Sequence, residues 1–190
     1  MLEIRIHGRG GQGNVVAAYL LATAAIGEGR YAQAFPAFGA ERRGAPVVAF
    51  ARIGSAPIQR RCQVLQPAFL IVQDRALLQV PGVLDGLKAG GGVLVNANTM
   101  PEDMDSGDTD VVTLPATSLA NEYLGRPVPN TALLAAFLSL TGMLPVEALT
   151  AALGERFQGK VLERNRALVE TAASRVEAGR WQEVAHAAGA

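Results

Sequence analysis

The sequence has 190 residues and no net charge, with 17 basic and 17 acidic side chains; 49% of its residues are hydrophobic and 18% are charged. This length suits one domain with a sizeable core. The low charged fraction fits either a subunit buried in a complex or simply an alanine-rich chain.

The single cysteine, Cys62, excludes an internal disulfide, and alone it cannot ligate an iron–sulfur cluster or build a structural zinc site. A pI near 6.7 without an aromatic-basic stripe argues against nucleic acid. The lack of a signal peptide and of a long apolar run predicts a cytoplasmic protein without a membrane span.

Short strands and one helix alternate along the first half of the chain. The residue patterns predict strands at 3–7, 31–35, 47–53, 69–74, 93–96 and 111–114. The continuous apolar runs of the fourth and fifth strands are typical of strands buried on both faces. Helices are predicted at 14–26 and 83–89, and residues 101–110 form an acidic, turn-rich loop.

The second half of the chain is helical in pattern. Helices are predicted at 117–124, 131–140, 146–157 and 162–178, the last one amphipathic and exposed. Strands that alternate with helices predict an α/β fold, here a three-layer-type sandwich with a mostly parallel sheet and a helical C-terminal segment. We expect a single domain over residues 1–190, with an α/β core to about residue 116 and a mainly helical part over 117–190.

A glycine-rich motif between the first strand and the first helix is the clearest functional signal. It consists of Gly8, Arg9, Gly10, Gly11, Gln12 and Gly13. Glycines allow a tight turn and close approach to a ligand, and free N–H groups at a helix start favour an anion. The motif fits a dinucleotide fingerprint. However, no acid for the ribose ends the second strand, and Glu28 lies before that strand. A packing turn without any ligand is the alternative; a valine at Gly11 is expected to clash with the backbone.

A second motif lies in the Gly- and Pro-bounded segment at residues 35–44, FPAFGAERRG. Its paired Arg42 and Arg43 could grip phosphate or carboxylate through bidentate hydrogen bonds. The alternatives are a solvated loop and a subunit contact. Residues 1–61 contain eight basic and three acidic side chains, a surplus of five positive charges, which favours an anionic ligand near this third of the chain.

Three further residues carry weaker signals. His7 is expected to be a hydrogen-bonded strand residue rather than a ligand contact, and Asn130 is expected to be a helix N-cap. Cys62 has no evident base partner. No paired carboxylates and no complete catalytic or metal-ligating constellation can be recognised, so we predict no catalytic and no metal-binding residue in this chain.

The two motifs together carry a family resemblance. The stretches IRIHGRGGQGNVVAAYLLATAA and YAQAFPAFGAERRGAPVVAFARIG resemble the γ subunit of pyruvate:ferredoxin oxidoreductases and related 2-oxoacid:acceptor oxidoreductases, of the pyruvate, ketoisovalerate or phenylglyoxylate type. The resemblance continues in order through FLIVQD, GGVLVNAN and PNTALLAAF. The indolepyruvate branch is similar too, but usually lacks the FPAFGAERRGAPV form.

The resemblance implies a role in a larger enzyme that decarboxylates a 2-oxoacid on thiamine diphosphate and releases an acyl-coenzyme A. Thiamine diphosphate and the iron–sulfur clusters would lie in partner subunits, and ferredoxin or another acceptor would take the electrons. This chain would help enclose the active site and bind coenzyme A at its surface, with Gly8 to Gly13, Arg42 and Arg43 facing the phosphates or pantetheine. It would bind no cofactor and have no activity alone. A structural scaffold subunit and a stand-alone nucleotide-binding oxidoreductase remain as alternatives.

Overall fold

The computed structural model describes residues 1–37, 44–100 and 109–189. Its centre is a six-stranded sheet in the order β2-β3-β1-β4-β5-β6. The strands are β1 (Leu2–Arg9), β2 (Tyr31–Pro36), β3 (Pro46–Gly54), β4 (Phe69–Val72), β5 (Gly92–Asn96) and β6 (Asp110–Leu114). β1, β4, β5 and β6 pair in parallel, whereas β3 runs antiparallel to both β1 and β2. The predicted α/β class, the mostly parallel sheet and the helical C-terminal segment are confirmed.

The helices are α1 (Asn14–Gly27), α2 (Ala116–Leu124), α3 (Asn130–Thr141), α4 (Val146–Gly154), α5 (Gly159–Ser174) and α6 (Gln182–Ala187). One helical turn of the 3-10 type, Arg75–Gln79, follows β4. None of the helices in the described ranges is long and apolar enough to cross a membrane.

The main core lies between the sheet and the helices. Alternate strand residues such as Leu2, Ile4 and Ile6 point into it, as the two-residue period of a strand requires. α3 is buried along nearly its whole length and contacts both β5 and α5. This explains why α3 is apolar on all sides, whereas α5 has the amphipathic pattern of a helix with one exposed face.

The opposite face of the sheet carries charged side chains that are nevertheless buried. Arg5 donates hydrogen bonds to the carbonyl oxygens of Val83 (2.8 Å) and Asp85 (2.7 Å). The fully buried Arg52 donates to the Glu3 carboxylate (2.8 Å) and to the carbonyl oxygen of Cys62 (2.7 Å). Irregular segments cover this face, and their buried carbonyl groups need donors that no regular ladder supplies. The arginines supply those donors.

One expected helix is not formed in the structure. Residues 83–89, predicted as a helix, form turns, and the regular turn lies earlier, at Arg75–Gln79. The prediction was wrong because Gly86, in the middle of this segment, adopts a positive φ angle of 73°, which interrupts a right-handed helix. Most of the predicted acidic loop, residues 101–108, lies outside the described residues.

The C-terminal segment is anchored to the far edge of the sheet by Trp181. This side chain is 2% exposed and stacks on Phe69 with ring centroids 5.3 Å apart. Its indole N–H donates to Asp110 (2.8 Å), which also accepts two hydrogen bonds from Arg180. Arg180, more than the Trp181 hydrogen bond, holds the pKa of the Asp110 carboxyl below its usual value, against the opposing effect of burial. A Cβ on Gly92 would lie 2.5 Å from the indole, so the tryptophan needs a glycine in β5.

Candidate functional site

The glycine motif lies at the carboxyl end of β1, where the chain order of the sheet changes direction. The chain leaves β1 through α1 toward the β2 edge, whereas β4 lies on the other side of β1. In open α/β sheets, ligands bind in the crevice at such a switch point, outside the carboxyl ends of the strands. The fold therefore places the sequence-predicted loop where a ligand site is expected.

Close contacts require glycine at positions 8 and 13, and the backbone conformation requires glycine at positions 11 and 13. A Cβ on Gly8 would collide with the side-chain amide of Asn14, and one on Gly13 would lie 2.7 Å from Nδ2 of Asn130. Gly11 and Gly13 have φ angles of 99° and 81°, which other residues adopt only with strain. The expected clash at Gly11 is wrong, because its Cβ position is open; a side chain there meets backbone strain instead.

The loop presents unused hydrogen-bonding groups to a shallow pocket of about 240 Å³. Among the described residues, the backbone N–H groups of Gly11, Gly13, Asn14 and Val15 have no acceptor. The first N–H groups of a helix lack partners within the helix and attract anions. The Asn14 side chain is 3% exposed and donates to the carbonyl oxygen of Val47 (2.7 Å), while no donor in the described part of the chain reaches its Oδ1. The pocket thus offers donors, while the unpaired Asn14 Oδ1 lies buried against Gly8.

Arg9 and Gln12 hold the loop in shape. The Arg9 guanidinium donates through Nε to the Asp74 carboxylate (2.5 Å), which follows β4, and through Nη1 to the carbonyl oxygen of Gly44 (3.1 Å). The Arg9 backbone N–H donates to Oε1 of Gln12 (2.7 Å). Both polar side chains that the sequence assigned to ligand binding therefore have structural partners, which leaves the Arg9 Nη2 and Gln12 Nε2 groups for other contacts.

The glycine motif meets the carboxyl end of the second motif. The N–H of Gly10 donates to Ala45 (2.9 Å), and the N–H of Gly44 donates to Gly10 (3.2 Å). Arg42 and Arg43 belong to residues 38–43, which lie outside the described residues. Two motifs about 20 residues apart in sequence are thus joined at Gly10 and Gly44.

His7 and Asn130 both differ in part from expectation. His7 is buried, and no described donor or acceptor reaches its Nε2. Burial, with a smaller effect from the nearby positive charge of Arg5, lowers the pKa of His7 to about 4. Asn130 is the first residue of α3 rather than its N-cap, a position that Pro129 occupies without a side-chain hydrogen bond; the Asn130 Oδ1 still accepts from the N–H of Thr131 (2.8 Å), and its Nδ2 donates to the carbonyl oxygen of Gly13 (3.4 Å). Its side chain thereby ties α3 to the glycine loop.

Cys62 is an exposed free thiol. No group of three or more His, Cys, Asp and Glu side chains that could hold a metal occurs among the described residues.

Sequence reasoning missed the polar residues that follow the neighbouring strands. Asp74 follows β4, and Gln73 beside it is fully buried with neither amide atom hydrogen bonded within the described residues. Asn96 ends β5 and bonds to the carbonyl oxygen of Gln73 (2.9 Å) and to Thr117 (2.7 Å). A signal existed, because each polar residue ends an apolar run of a parallel strand, and such ends converge on one edge.

The strand order removes the geometric basis for a dinucleotide site. In such a site the second strand lies beside the first and its terminal acid reaches the ribose. Here β3 separates β2 from β1, and β3 is antiparallel to β1. Glu28 caps α1, before β2 begins. The stand-alone nucleotide-binding hypothesis thus loses its structural support.

An open, mostly parallel sheet with a glycine loop at its switch point defines an α/β protein of the class that binds ligands at the carboxyl edge of the sheet. Sequence comparison then gives the family. A family model described as pyruvate ferredoxin/flavodoxin oxidoreductase matches residues 3–175, and the chain belongs to this family.

Individual relatives agree with this assignment. The chain is 47% identical to pyruvate synthase subunit PorC of Methanothermobacter thermautotrophicus over 93% of this chain and 97% of that protein. It is 45% identical to the common γ subunit of the pyruvate/ketoisovalerate oxidoreductases of Thermococcus kodakarensis, over 90% and 95% of the two chains. The crystal structure of pyruvate oxidoreductase subunit PORC from Thermotoga maritima superposes with a TM-score of 0.82 at 35% identity, covering 91% of this chain and 95% of that one. The resemblance seen in the sequence is confirmed.

Proposed function

We propose that this chain is the γ subunit of a thiamine-diphosphate-dependent 2-oxoacid:acceptor oxidoreductase, in which it helps enclose the active site and binds coenzyme A. Family membership supports the enzyme class. The observation that carries the coenzyme A assignment is the pair of hydrogen bonds between Gly10 and the 44–45 segment, which joins the glycine loop to the end of the arginine motif. Both motifs can then act on one ligand.

The chemistry of the pocket suits the phosphates of coenzyme A. The free N–H groups of Gly11, Gly13 and Asn14 can donate to phosphate oxygens, and the start of α1 adds its positive dipole end. Arg9 acts by positioning, since Asp74 and Gly44 hold its guanidinium. Arg42 and Arg43 would add charge-assisted hydrogen bonds.

The decarboxylation and electron-transfer steps would belong to partner subunits. Thiamine diphosphate chemistry and iron–sulfur clusters need cofactor ligands that one exposed cysteine does not provide. We therefore expect assembly with thiamine-binding and iron–sulfur subunits, with ferredoxin or another electron acceptor served by the complex. The cytoplasmic location and the single-domain organisation also remain predictions.

The purified chain should be colourless and should not turn over a 2-oxoacid. Absorption spectra and an assay with pyruvate and a dye acceptor check this, with the assembled complex as the positive control. Turnover, or an iron–sulfur absorption band, in the isolated chain would contradict the proposal that decarboxylation and electron transfer belong to partner subunits.

The coenzyme A assignment is tested in the assembled enzyme by Arg42→Ala and Arg43→Ala. A lost charge-assisted hydrogen bond costs about 1.5–3 kcal/mol, which at about 1.4 kcal/mol per factor of ten is roughly a ten- to hundredfold rise in the coenzyme A dissociation constant. The 2-oxoacid affinity, the melting temperature and the subunit composition should stay nearly unchanged. Coenzyme A and 2-oxoacid titrations at fixed ionic strength measure the two affinities.

Arg61→Ala is the matched control, because it removes an exposed arginine from the same basic third of the chain. It should change neither affinity by more than the small amount expected of a screened surface charge. Equal losses for both substrates in the Arg42 and Arg43 variants would indicate a general active-site or interface role. Unchanged affinities would favour the structural scaffold.

A further inference from the structure

A second and larger cavity, of about 570 Å³, opens beside the glycine loop. It lies between the start of α1, the connection from α2 to α3, and the connection from α4 to α5. Its volume is within the range of small-molecule sites, about 300–1,000 Å³. It shares only Gly13 and Val16 with the glycine-loop pocket, so the two are adjacent but lined by different residues.

The polar part of this cavity is positively charged. Arg126, Arg156 and Arg164 line it, and no aspartate or glutamate of the described residues does so. Within the same part of the chain, none of these arginines forms an ion pair. The first turns of α3 and α5 also reach the cavity through Thr131 and Val161, and the positive end of each helix dipole adds to the field. Three guanidinium groups suit a phosphate, whose oxygens can accept from more than one of them.

The rest of the wall is apolar. Val16, Leu20, Leu124, Val128, Phe157 and Val161 contribute to it. Val161 is 51% exposed in the first turn of α5, whereas Leu168, Val169 and Ala172 further along the helix are buried. An apolar wall next to a cationic rim matches a ligand with an apolar chain and a charged head group, since such sites combine hydrophobic area with a few placed polar groups.

We propose that this cleft binds an organic phosphate that carries an apolar chain, at a site separate from the glycine loop. The phosphate lies among Arg126, Arg156 and Arg164, and the chain lies along Val16, Phe157 and Val161. Buried Asn130 connects the two sites, because it lines the cleft and also donates to the carbonyl oxygen of Gly13. Occupation of the cleft can thus affect the glycine loop.

Hexyl phosphate and inorganic phosphate are the probes. In titrations of the ¹⁵N-labelled full chain, hexyl phosphate should shift the backbone signals of Gly13, Val128, Thr131 and Asn165 saturably. Inorganic phosphate should bind at least about tenfold more weakly, because it lacks the methylene groups that the apolar wall would bury. Shifts confined to Gly10 and Gly11, or no saturable binding of hexyl phosphate, would overturn the proposal.

Variants separate the two parts of the site. Arg156→Ala and Arg164→Ala should each weaken hexyl phosphate about three- to tenfold, as partly screened charge-assisted contacts do. Arg166→Ala is the matched control, because Arg166 is exposed on α5 like Arg164 but does not line the cleft. Val161→Ser should weaken hexyl phosphate and leave inorganic phosphate unchanged. An equal effect of Arg166→Ala, or equal losses of both probes in Val161→Ser, would refute the assigned geometry.

If the cleft instead receives an acidic segment of a partner subunit, Arg156→Glu with Arg164→Glu should abolish assembly while the isolated wild-type chain binds neither probe. That result would overturn the small-molecule proposal. Because the cleft and the coenzyme A assignment depend on different arginines, either can fail without the other.

Discussion

Acid should destabilise this protein between pH 7 and pH 5 through one buried histidine. His7 lies in β1 on the sheet face that carries Arg5, and burial lowers its pKa from 6.5 to about 4, with a smaller contribution from the Arg5 charge. The Asp85 residue near Arg5 offsets part of that charge. In the unfolded chain the imidazole regains its ordinary pKa. Between pH 6.5 and pH 4 the unfolded state therefore binds more protons, and stability falls as the pH falls.

The two pKa values set the size of the effect. At pH 5 the unfolded imidazole is almost fully protonated, whereas the folded one is mostly neutral. Linkage then gives a loss of about 2 kcal/mol in the free energy of unfolding between pH 7 and pH 5, rising to a limit of about 3 kcal/mol below pH 4. With a urea slope of about 2 kcal/mol per molar, the midpoint should drop by roughly 1 M. The Asp110 carboxyl contributes little between pH 7 and pH 5, because its ordinary pKa of 3.8 lies below this window and its pKa in the folded state is lower still.

Urea denaturation at pH 7.0 and pH 5.0, followed by circular dichroism, measures the loss, and the two histidines of the chain provide the control. His7→Gln should flatten the pH dependence, whereas replacement of the exposed His186 with Gln should leave it as in the wild type. If wild type and His7→Gln lose the same stability between the two pH values, the titration of His7 is not the cause and the reasoning fails.

Two further substitutions probe the glycine loop and the C-terminal anchor. Gly13→Ala should cost more than Gly11→Ala in urea denaturation, by at least about 1 kcal/mol, because both strain the backbone but only Gly13 also crowds Asn130; equal costs would contradict the contact. Asp110→Ala should lower the free energy of unfolding by about 1–3 kcal/mol, because it leaves the buried Trp181 N–H without its partner. Glu177→Ala removes only the 3.8 Å surface ion pair with Arg180 and should have almost no effect. A similar loss of stability in both variants would show that the surface charge of Arg180, rather than the indole N–H, is responsible.

The sequence predicted the parts of the fold that depend on local pattern. The predicted bounds of the strands and helices around the glycine motif agree with the structure to within a residue or two. The spacing of apolar residues and the positions of glycine and proline determine these bounds locally. The position of β3 between β2 and β1 was not predicted. Strand order depends on long-range pairing, and no residue in either strand encodes its neighbour by itself.

The candidate site was predicted only as far as it lies in one stretch of chain. The glycines were found because their conformation requires the residue type. Asp74 and Asn130, which hold Arg9 and Gly13, come from positions 65 and 117 residues away along the chain. Single polar residues after apolar strands are common, so only the convergence of the strand ends identifies these as part of one site.

The carboxyl ends of the parallel strands meet at one edge of the sheet, and several buried polar side chains of this weakly charged chain lie together there. Gln73, Asn96 and Asn14 are amides rather than charged groups, and they lie at the carboxyl ends of β4 and β5 and at the start of α1. Burying an amide costs far less than burying an ion, and an amide can serve as donor or acceptor. At the carboxyl ends of the strands, fixed charge lies at the rim instead, on Arg9 and on the arginines of the larger cleft. Neutral buried groups and the positioned Arg9 can therefore fix the shape of the loop, so substitutions among them should alter folding, whereas substitutions of the exposed cleft arginines should alter the affinity proposed for the cleft.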